Sequence, residues 1–197
     1  WEDFWLIKVD AGGAKQWERV YGGPWGDLLS ALEPTPDGGF IVGGTSYSGA
    51  EGNKTTTNAG SADFWILKLD ANGNKQWERS YGGTDDDFLN TVRPTADGGY
   101  VLGGYSLSGV GGTKTTAGFG DVDYWVVKVD ASGNQQWDRT FGGSGADVLG
   151  GVRQTTDGGF LLAGNSISTV SGNKSSASLG LDDFWVVKLD ASGNKLW

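Results

Sequence analysis

The chain has 197 residues, among them 36 glycines and 10 tryptophans, and it contains no cysteine, histidine or methionine. These absences exclude disulfide bridges, thiolate or imidazole metal sites and a Ser-His-Asp triad. The net charge of -9, from 15 Lys plus Arg against 24 Asp plus Glu, disfavours nucleic acid and anionic membranes as partners.

A repeat of 60 residues organises the whole chain. The run Asp3 to Asp10, with the sequence DFWLIKVD, returns in similar form at Asp63, Asp123 and Asp183. Self-similarity at a fixed period is typical of solenoids, propellers and arrays. We therefore expect a piece of a longer array, divided into a half repeat and three repeats at 1–22, 23–82, 83–142 and 143–197.

Four strands are predicted in each full repeat, and no stretch has the 3.6-residue period of a helix. Aromatic and β-branched residues occupy both faces of 64–70, which is typical of a strand covered on both sides. After a turn at Asn72-Gly73-Asn74, polar and apolar residues alternate along 75–81, as expected of a half-exposed edge strand. Two further strands are predicted at 88–95 and 100–106.

Short antiparallel strands in series predict an all-β fold built of four-stranded propeller blades. Neighbouring blades would cover both faces of each sheet, and Gly103-Gly104 would leave space where sheets crowd together. Three and a half blades fall short of the four that a ring requires. An open stack or fibre of the same sheets is the alternative, and we expect other copies of the chain or flanking repeats to supply the missing strands.

The sequence resembles known repeat families. The apolar run before Gly43-Gly44 and the tryptophan that begins a later strand resemble the kelch pattern, and the turn from Leu69 to Trp77 resembles that of quinoprotein-type propellers. Over its whole length the chain is similar to tandem repeats of secreted and surface proteins of Bacteroidetes-type bacteria, which carry D-[FY]-W-[VIL]-[VIL]-K-[VL]-D and D-G-G-[FY] units. The resemblance implies an extracellular or cell-surface location and is nearly silent on activity.

Long loops rich in Gly, Ser and Thr span about 47–62, 107–122 and 167–182. Loops held on a rigid scaffold usually carry binding residues, so this edge of the sheets is the expected binding face. The candidate residues are Trp25, Tyr47, Lys54, Lys114 and Lys174.

Calcium binding is one hypothesis for the acidic residues. Asp85, Asp86 and Asp87 offer the carboxylate oxygens that Ca²⁺ prefers, although no complete ligand loop is present. The alternative is that recurrent aspartates cap turns by accepting hydrogen bonds from backbone N–H groups. No other cofactor is expected.

Glycan binding and catalysis are two further hypotheses. Trp25 and Tyr47 could stack on sugars, but neither recurs in the other copies. Arg19, Arg79 and Arg139 recur with the fold, so ion pairing or stacking on an aromatic ring is expected of them rather than catalysis.

The sequence therefore favours a non-catalytic extracellular repeat module for cell-surface adhesion, filament or scaffold assembly. A carbohydrate-binding propeller lectin, with glycans as partners, is the alternative. Neither membrane insertion nor nucleic acid is expected.

Overall fold

A computed structural model describes residues 1–197, and strands are its only long regular elements. No helix that could cross a membrane is present. The strands are β1 (Phe4–Val9), β2 (Lys15–Tyr21), β3 (Asp27–Pro34), β4 (Phe40–Ser46), β5 (Asp63–Leu69), β6 (Lys75–Tyr81), β7 (Asp87–Pro94), β8 (Tyr100–Ser106), β9 (Asp123–Val129), β10 (Gln135–Phe141), β11 (Asp147–Gln154), β12 (Phe160–Ser166) and β13 (Asp183–Leu189).

These strands form four antiparallel sheets in chain order: sheet I (β1-β2), sheet II (β3 to β6), sheet III (β7 to β10) and sheet IV (β11 to β13). We name the strand positions A, B, C and D, so that sheet I holds C and D alone and sheet IV holds A, B and C. The four strand predictions are confirmed to within one residue. The expected all-β class of repeated antiparallel sheets is confirmed as well.

The sheets pack face to face in an open series. Strand A of sheets III and IV lies against the preceding sheet, and sheet I contacts sheet II through β1 and β3. Sheet IV does not close onto sheet I. The evidence is the exposure of the two end sheets, since Trp5 at one end is 62% exposed and Phe184 at the other is 90% exposed. The series therefore presents two open ends.

An aromatic pair joins each sheet to the next through strand C. Successive side chains of a strand point to opposite faces. An aromatic side chain on one face therefore meets the following sheet, while the tryptophan beside it in the chain meets the preceding one. The strands β5 and β9 are consequently buried on both faces. The pairs are Phe4–Trp65, Phe64–Trp125 and Tyr124–Trp185, with ring centroids 4.8, 4.7 and 5.0 Å apart.

Strand B lies so close to the next sheet and to strand A of its own sheet that glycine is required at two of its positions. A Cβ atom on Gly103 would lie 2.7 Å from Cδ2 of Leu149 in sheet IV. One on Gly104 would collide with the carbonyl oxygen of Phe88 on the paired strand. The predicted close packing between sheets is thus confirmed for Gly103, whereas Gly104 makes room for the paired strand of its own sheet.

A bulge in strand A adds polar contacts between sheets. The register of β3 shifts between Leu29 and Ala31, and the hydroxyl of Ser30 donates to the carbonyl of Leu89 in sheet III at 2.6 Å. Asn90, at the same position of sheet III, donates to the carbonyl of Leu149 at 2.7 Å. The bulges of β3 and β7 thereby each supply a side-chain donor to the sheet that follows, whereas β11 has Gly150 at this position.

Strand D of one sheet holds the C–D turn of the next. Trp17 Nε1 donates to the carbonyl of Ala71 at 3.1 Å, and Tyr21 donates to that of Gly73. Arg19 stacks on Trp17, 5.9 Å from the ring centroid, and donates to the carbonyl of Asn72. Stacking, one of the two roles expected of the recurrent arginines, is therefore observed.

Substitution of Trp125 and of Trp5, which share one repeat position, tests whether strand C is packed on both faces. Trp125 is buried against Phe64, whereas its counterpart Trp5 has no sheet above it. We expect Trp125→Ala to lower the free energy of unfolding by about 3–5 kcal/mol, as large core truncations do. Trp5→Ala should change it by less than about 1 kcal/mol. Urea unfolding of both variants measures this, and equal losses would contradict the packing described.

Candidate functional site

The N-terminal end of the series is an uncovered apolar face, which we call the N face. Its core is Trp5, Ile7 and Val9 on strand C. Their counterparts in sheets II and III are fully buried, because a preceding sheet lies on them there. Strand A of sheet II extends the exposed area with Leu29 and Leu32.

The C-terminal end of the series is the matching uncovered face, the C face. Phe184 and Val186 of strand C are exposed, together with Val148 of strand A. In sheets I, II and III, the counterparts of Phe184 are the aromatic side chains that pack on a tryptophan of the next sheet. The N face therefore lacks the aromatic partner that the C face presents, and the C face lacks the tryptophan that the N face presents.

An aromatic cleft lies beside the N face and includes two of the residues predicted from the sequence. Trp1, Trp25 and Tyr47 line it with Leu28, and its volume is about 660 Å³. Trp1 and Trp25 meet edge to face with centroids 5.5 Å apart. The structure thus brings Trp25 and Tyr47 together in one cleft, which none of the three candidate lysines lines.

The lysines Lys54, Lys114 and Lys174 are buried, so they do not belong to a solvent-facing binding surface. The ammonium of Lys54 donates to the carbonyls of Ser48 and Thr56 and to Oδ1 of Asn58, at 2.7–2.9 Å. It also lies 5.8 Å from the ring centroid of Trp65. Burial lowers the pKa of Lys54 to about 8. The long loop folds around this lysine, whose hydrogen bonds therefore stabilise the conformation of the loop.

A buried carboxylate anchors the same loop to strand D. Glu78 accepts hydrogen bonds from Thr55 and, at 3.0 Å, from Nε1 of Trp65 and Nζ of Lys75. Burial acts to raise the pKa of Glu78, but the hydrogen bonds from Thr55 and Lys75 outweigh it and lower the pKa below its ordinary value. Asp138 has the same role in sheet III, where Thr115 and Trp125 donate to it.

The candidate calcium residues Asp85, Asp86 and Asp87 do not converge. Asp85 is exposed, whereas Asp87 is buried and its Oδ2 accepts from Gly83 N at 2.7 Å and Ser108 Oγ at 2.9 Å. No group of three or more acidic side chains is arranged to hold a metal ion. The capping alternative describes Asp87, because its carboxylate closes the turn that leads into strand A.

Paired carboxylates occur at the junctions between sheets instead. Asp63 begins strand C of sheet II, Asp87 begins strand A of sheet III, and the N–H of Asp87 donates to the carbonyl of Ala62 at 2.7 Å. Asp123 and Asp147 repeat this arrangement between sheets III and IV. Burial, together with the charge of the nearby Asp87, raises the pKa of Asp63 to about 6.

Sequence reasoning missed this pairing and also the two end faces. A signal was present, since Asp63 and Asp123 share one repeat position and Asp87 and Asp147 share another. The sequence does not say that these two positions meet across a junction. For the end faces, the signal is that Trp5 shares its repeat position with Trp65 and Trp125, which are buried by the preceding sheet.

Comparison with known proteins adds little to this geometry. No protein-family model matches the chain, and no curated protein matches it. A solved structure, described as a protein of unknown function from Bacteroides caccae, aligns over 96% of this chain and 72% of its own. The sequences are 13% identical and the TM-score is 0.35, so this likeness carries no argument about function.

Proposed function

We propose that this chain is a non-catalytic repeat module that assembles end to end into an extracellular scaffold or filament at a cell surface. Its sheets act as blades of propeller type in a series that stays open within one chain. The N face of one copy binds the C face of another. The extracellular and cell-surface part rests on the resemblance to tandem repeats of secreted and surface proteins.

The complementarity of the two end faces is the observation that carries this proposal. Three junctions inside the chain, I–II, II–III and III–IV, show what covers each face: an aromatic side chain of one sheet lies on a tryptophan of the next. Phe184 and Trp5 offer these same two parts, each without its partner. Because the two faces differ, the contact is head to tail, and such contacts give open filaments unless the rotation closes a ring.

A structural role is also supported by how the buried ionisable groups are used. Lys54 donates its hydrogen bonds within its own loop, and Glu78 accepts hydrogen bonds from Thr55 and Trp65, which leaves neither free to act on a substrate. The recurrent Arg19 is held between Trp17 and the next turn. Each of these groups stabilises the stack that the module needs for assembly.

Assembly predicts a mass that rises with concentration. We expect the chain to sediment as a monomer when dilute and as a series of larger species at high concentration. Phe184→Glu and Trp5→Glu should each abolish the larger species, because a charge would be buried in an apolar contact. Val110→Glu is the matched control, since Val110 is exposed in a loop of sheet III away from both ends.

A chain that stays monomeric at the highest soluble concentration would contradict the proposal. So would a chain whose larger species persist in both end-face variants. Sedimentation velocity on the wild type and the three variants distinguishes these outcomes.

A second candidate function, carbohydrate binding, is favoured by the cleft of Trp1, Trp25 and Tyr47. Aromatic rings with exposed faces suit the apolar faces of sugars, and Trp25 is 53% exposed. The counterparts of Trp25 are Asp85 and Gly145, so the chain has one such cleft rather than one in each copy.

A glycan array tests the second candidate. If the cleft is a lectin site, the wild type binds a glycan class and Trp25→Ala weakens that binding at least tenfold, while Val110→Glu leaves it unchanged. An array without signal would exclude carbohydrate binding by the cleft and would leave the assembly proposal standing.

A further inference from the structure

We propose that a row of aromatic side chains along the edge of sheets II and III binds an extended, neutral oligosaccharide. The row begins in the cleft with Trp1, Trp25 and Tyr47 and continues through Phe88 to Tyr105. Because the row includes the cleft, the proposal rests on carbohydrate binding, the second candidate function, and goes beyond it by naming the length and the charge of the ligand.

Repeat symmetry separates these rings from the aromatic core. Most aromatic side chains of the chain recur at the same position in the other copies, as Trp65 and Trp125 do. The others have no aromatic counterpart, and Phe88, for example, corresponds to Leu28 and Val148. The aromatic residues of this second kind are Trp1, Trp25, Tyr47, Phe88, Tyr105 and Phe119. The stacking of the sheets does not require them, because the other copies fold without them.

All of these rings except Phe119, which lines a different cavity, follow one another in space. Trp25 and Tyr47 line the same cleft. The ring of Tyr47 meets that of Phe88 in the next sheet edge to face, with centroids 6.5 Å apart. Phe88 stacks on Tyr105, its direct partner across strands A and B of sheet III, at 4.9 Å. Rings that the fold does not require are thus concentrated at one edge, which indicates a ligand.

The side chains of the row remain accessible. Trp25 is 53% exposed and Tyr47 is 37% exposed, while Phe88 and Tyr105 are partly exposed. The tyrosines of strand D donate their hydroxyls to carbonyls of the next sheet, whereas the contacts of Tyr47 and Tyr105 are between rings. Ring surface and phenolic hydroxyls are therefore both available to a ligand.

The arrangement of the rings in a row selects an extended ligand with repeated apolar faces. An aromatic cage for a small cation surrounds one point, whereas these rings follow one another across two sheets. An oligosaccharide offers an apolar face on successive sugar units, and such faces pack on aromatic rings. Single-stranded nucleic acid stacks in the same way, but its phosphates would meet a chain of net charge -9.

Carboxylates beside the row select a neutral ligand that is rich in hydroxyl donors. Glu2 lines the cleft together with Ser61. Burial and, after it, the charge of Asp86 raise the pKa of Tyr47, and Oδ1 of Asp86 has no hydrogen-bond partner within the fold. Ionised carboxylates only accept hydrogen bonds, so they suit sugar hydroxyls and repel acidic sugars. A proline-rich peptide, another ligand of aromatic grooves, lacks N–H donors at its prolines.

The dependence of affinity on ligand length tests the proposal with the full chain. The probes are disaccharides and hexasaccharides of β-1,4-linked glucose, N-acetylglucosamine, xylose and mannose, and isothermal titration calorimetry measures their affinities. For the sugar that binds, we expect the hexasaccharide to bind about tenfold more tightly than the disaccharide, which is the gain that one further stacking contact typically gives.

Substitutions taken from other copies separate the row from the cleft. Tyr105→Thr introduces the residue type of Thr45, which the fold already holds at this position of sheet II. It should weaken binding of the hexasaccharide about tenfold and leave binding of the disaccharide unchanged. Trp25→Ala should weaken binding of both. Phe119→Ala, which introduces the residue type of Ala59, is the matched control and should weaken neither.

The possible failures are distinguishable. If no neutral hexasaccharide binds, both this proposal and the carbohydrate candidate are wrong. If the hexasaccharide binds no better than the disaccharide, or if Tyr105→Thr does not weaken it, the extended site is wrong and a lectin site confined to the cleft remains. Tighter binding of hexagalacturonate or of a proline-rich peptide than of every neutral hexasaccharide would show that the proposed ligand class is wrong.

Discussion

Every sheet of this chain is apolar on both faces, and the rest of the structure depends on that constraint. A strand such as β5, buried from end to end, cannot lie at a surface without exposing Phe64 or Trp65 to water. Each fully buried side chain of this size is worth about 1.5–3 kcal/mol relative to its exposed state. The sheets must therefore stack, and a stack of any finite length leaves one face uncovered at each end.

The polar contacts between sheets form as a consequence of the apolar stacking. Once two sheets lie face to face, the bulge residue Ser30 reaches the next strand A, and Arg19 reaches the next turn. The long loop closes over Lys54, whose charge is met by carbonyl oxygens and by the ring of Trp65. Directional contacts of this kind fix the register between sheets, which apolar packing alone would leave free to slide.

The sequence predicts the strands well because local chemistry decides them. Aromatic and β-branched runs mark strand C, and a glycine such as Gly73, at φ +77°, permits its turn. The prediction from sequence places Lys54 at the surface because a loop rich in Gly, Ser and Thr resembles a solvated loop. The recurrence of this lysine every 60 residues is the signal of a fixed structural role. The prediction also misses the meeting of Asp123 with Asp147, since that contact depends on the distance between two sheets and on no local pattern.

Cross-linking of the two end faces tests the central claim most directly, because the chain has no cysteine of its own. Ile7→Cys and Val186→Cys each place one thiol beside Trp5 or Phe184 and leave both aromatic rings in place. The account predicts that a short bismaleimide yields cross-linked dimers when the two variants are mixed, and few when either is treated alone. Equal yields from each variant alone, or none from the mixture, would contradict it.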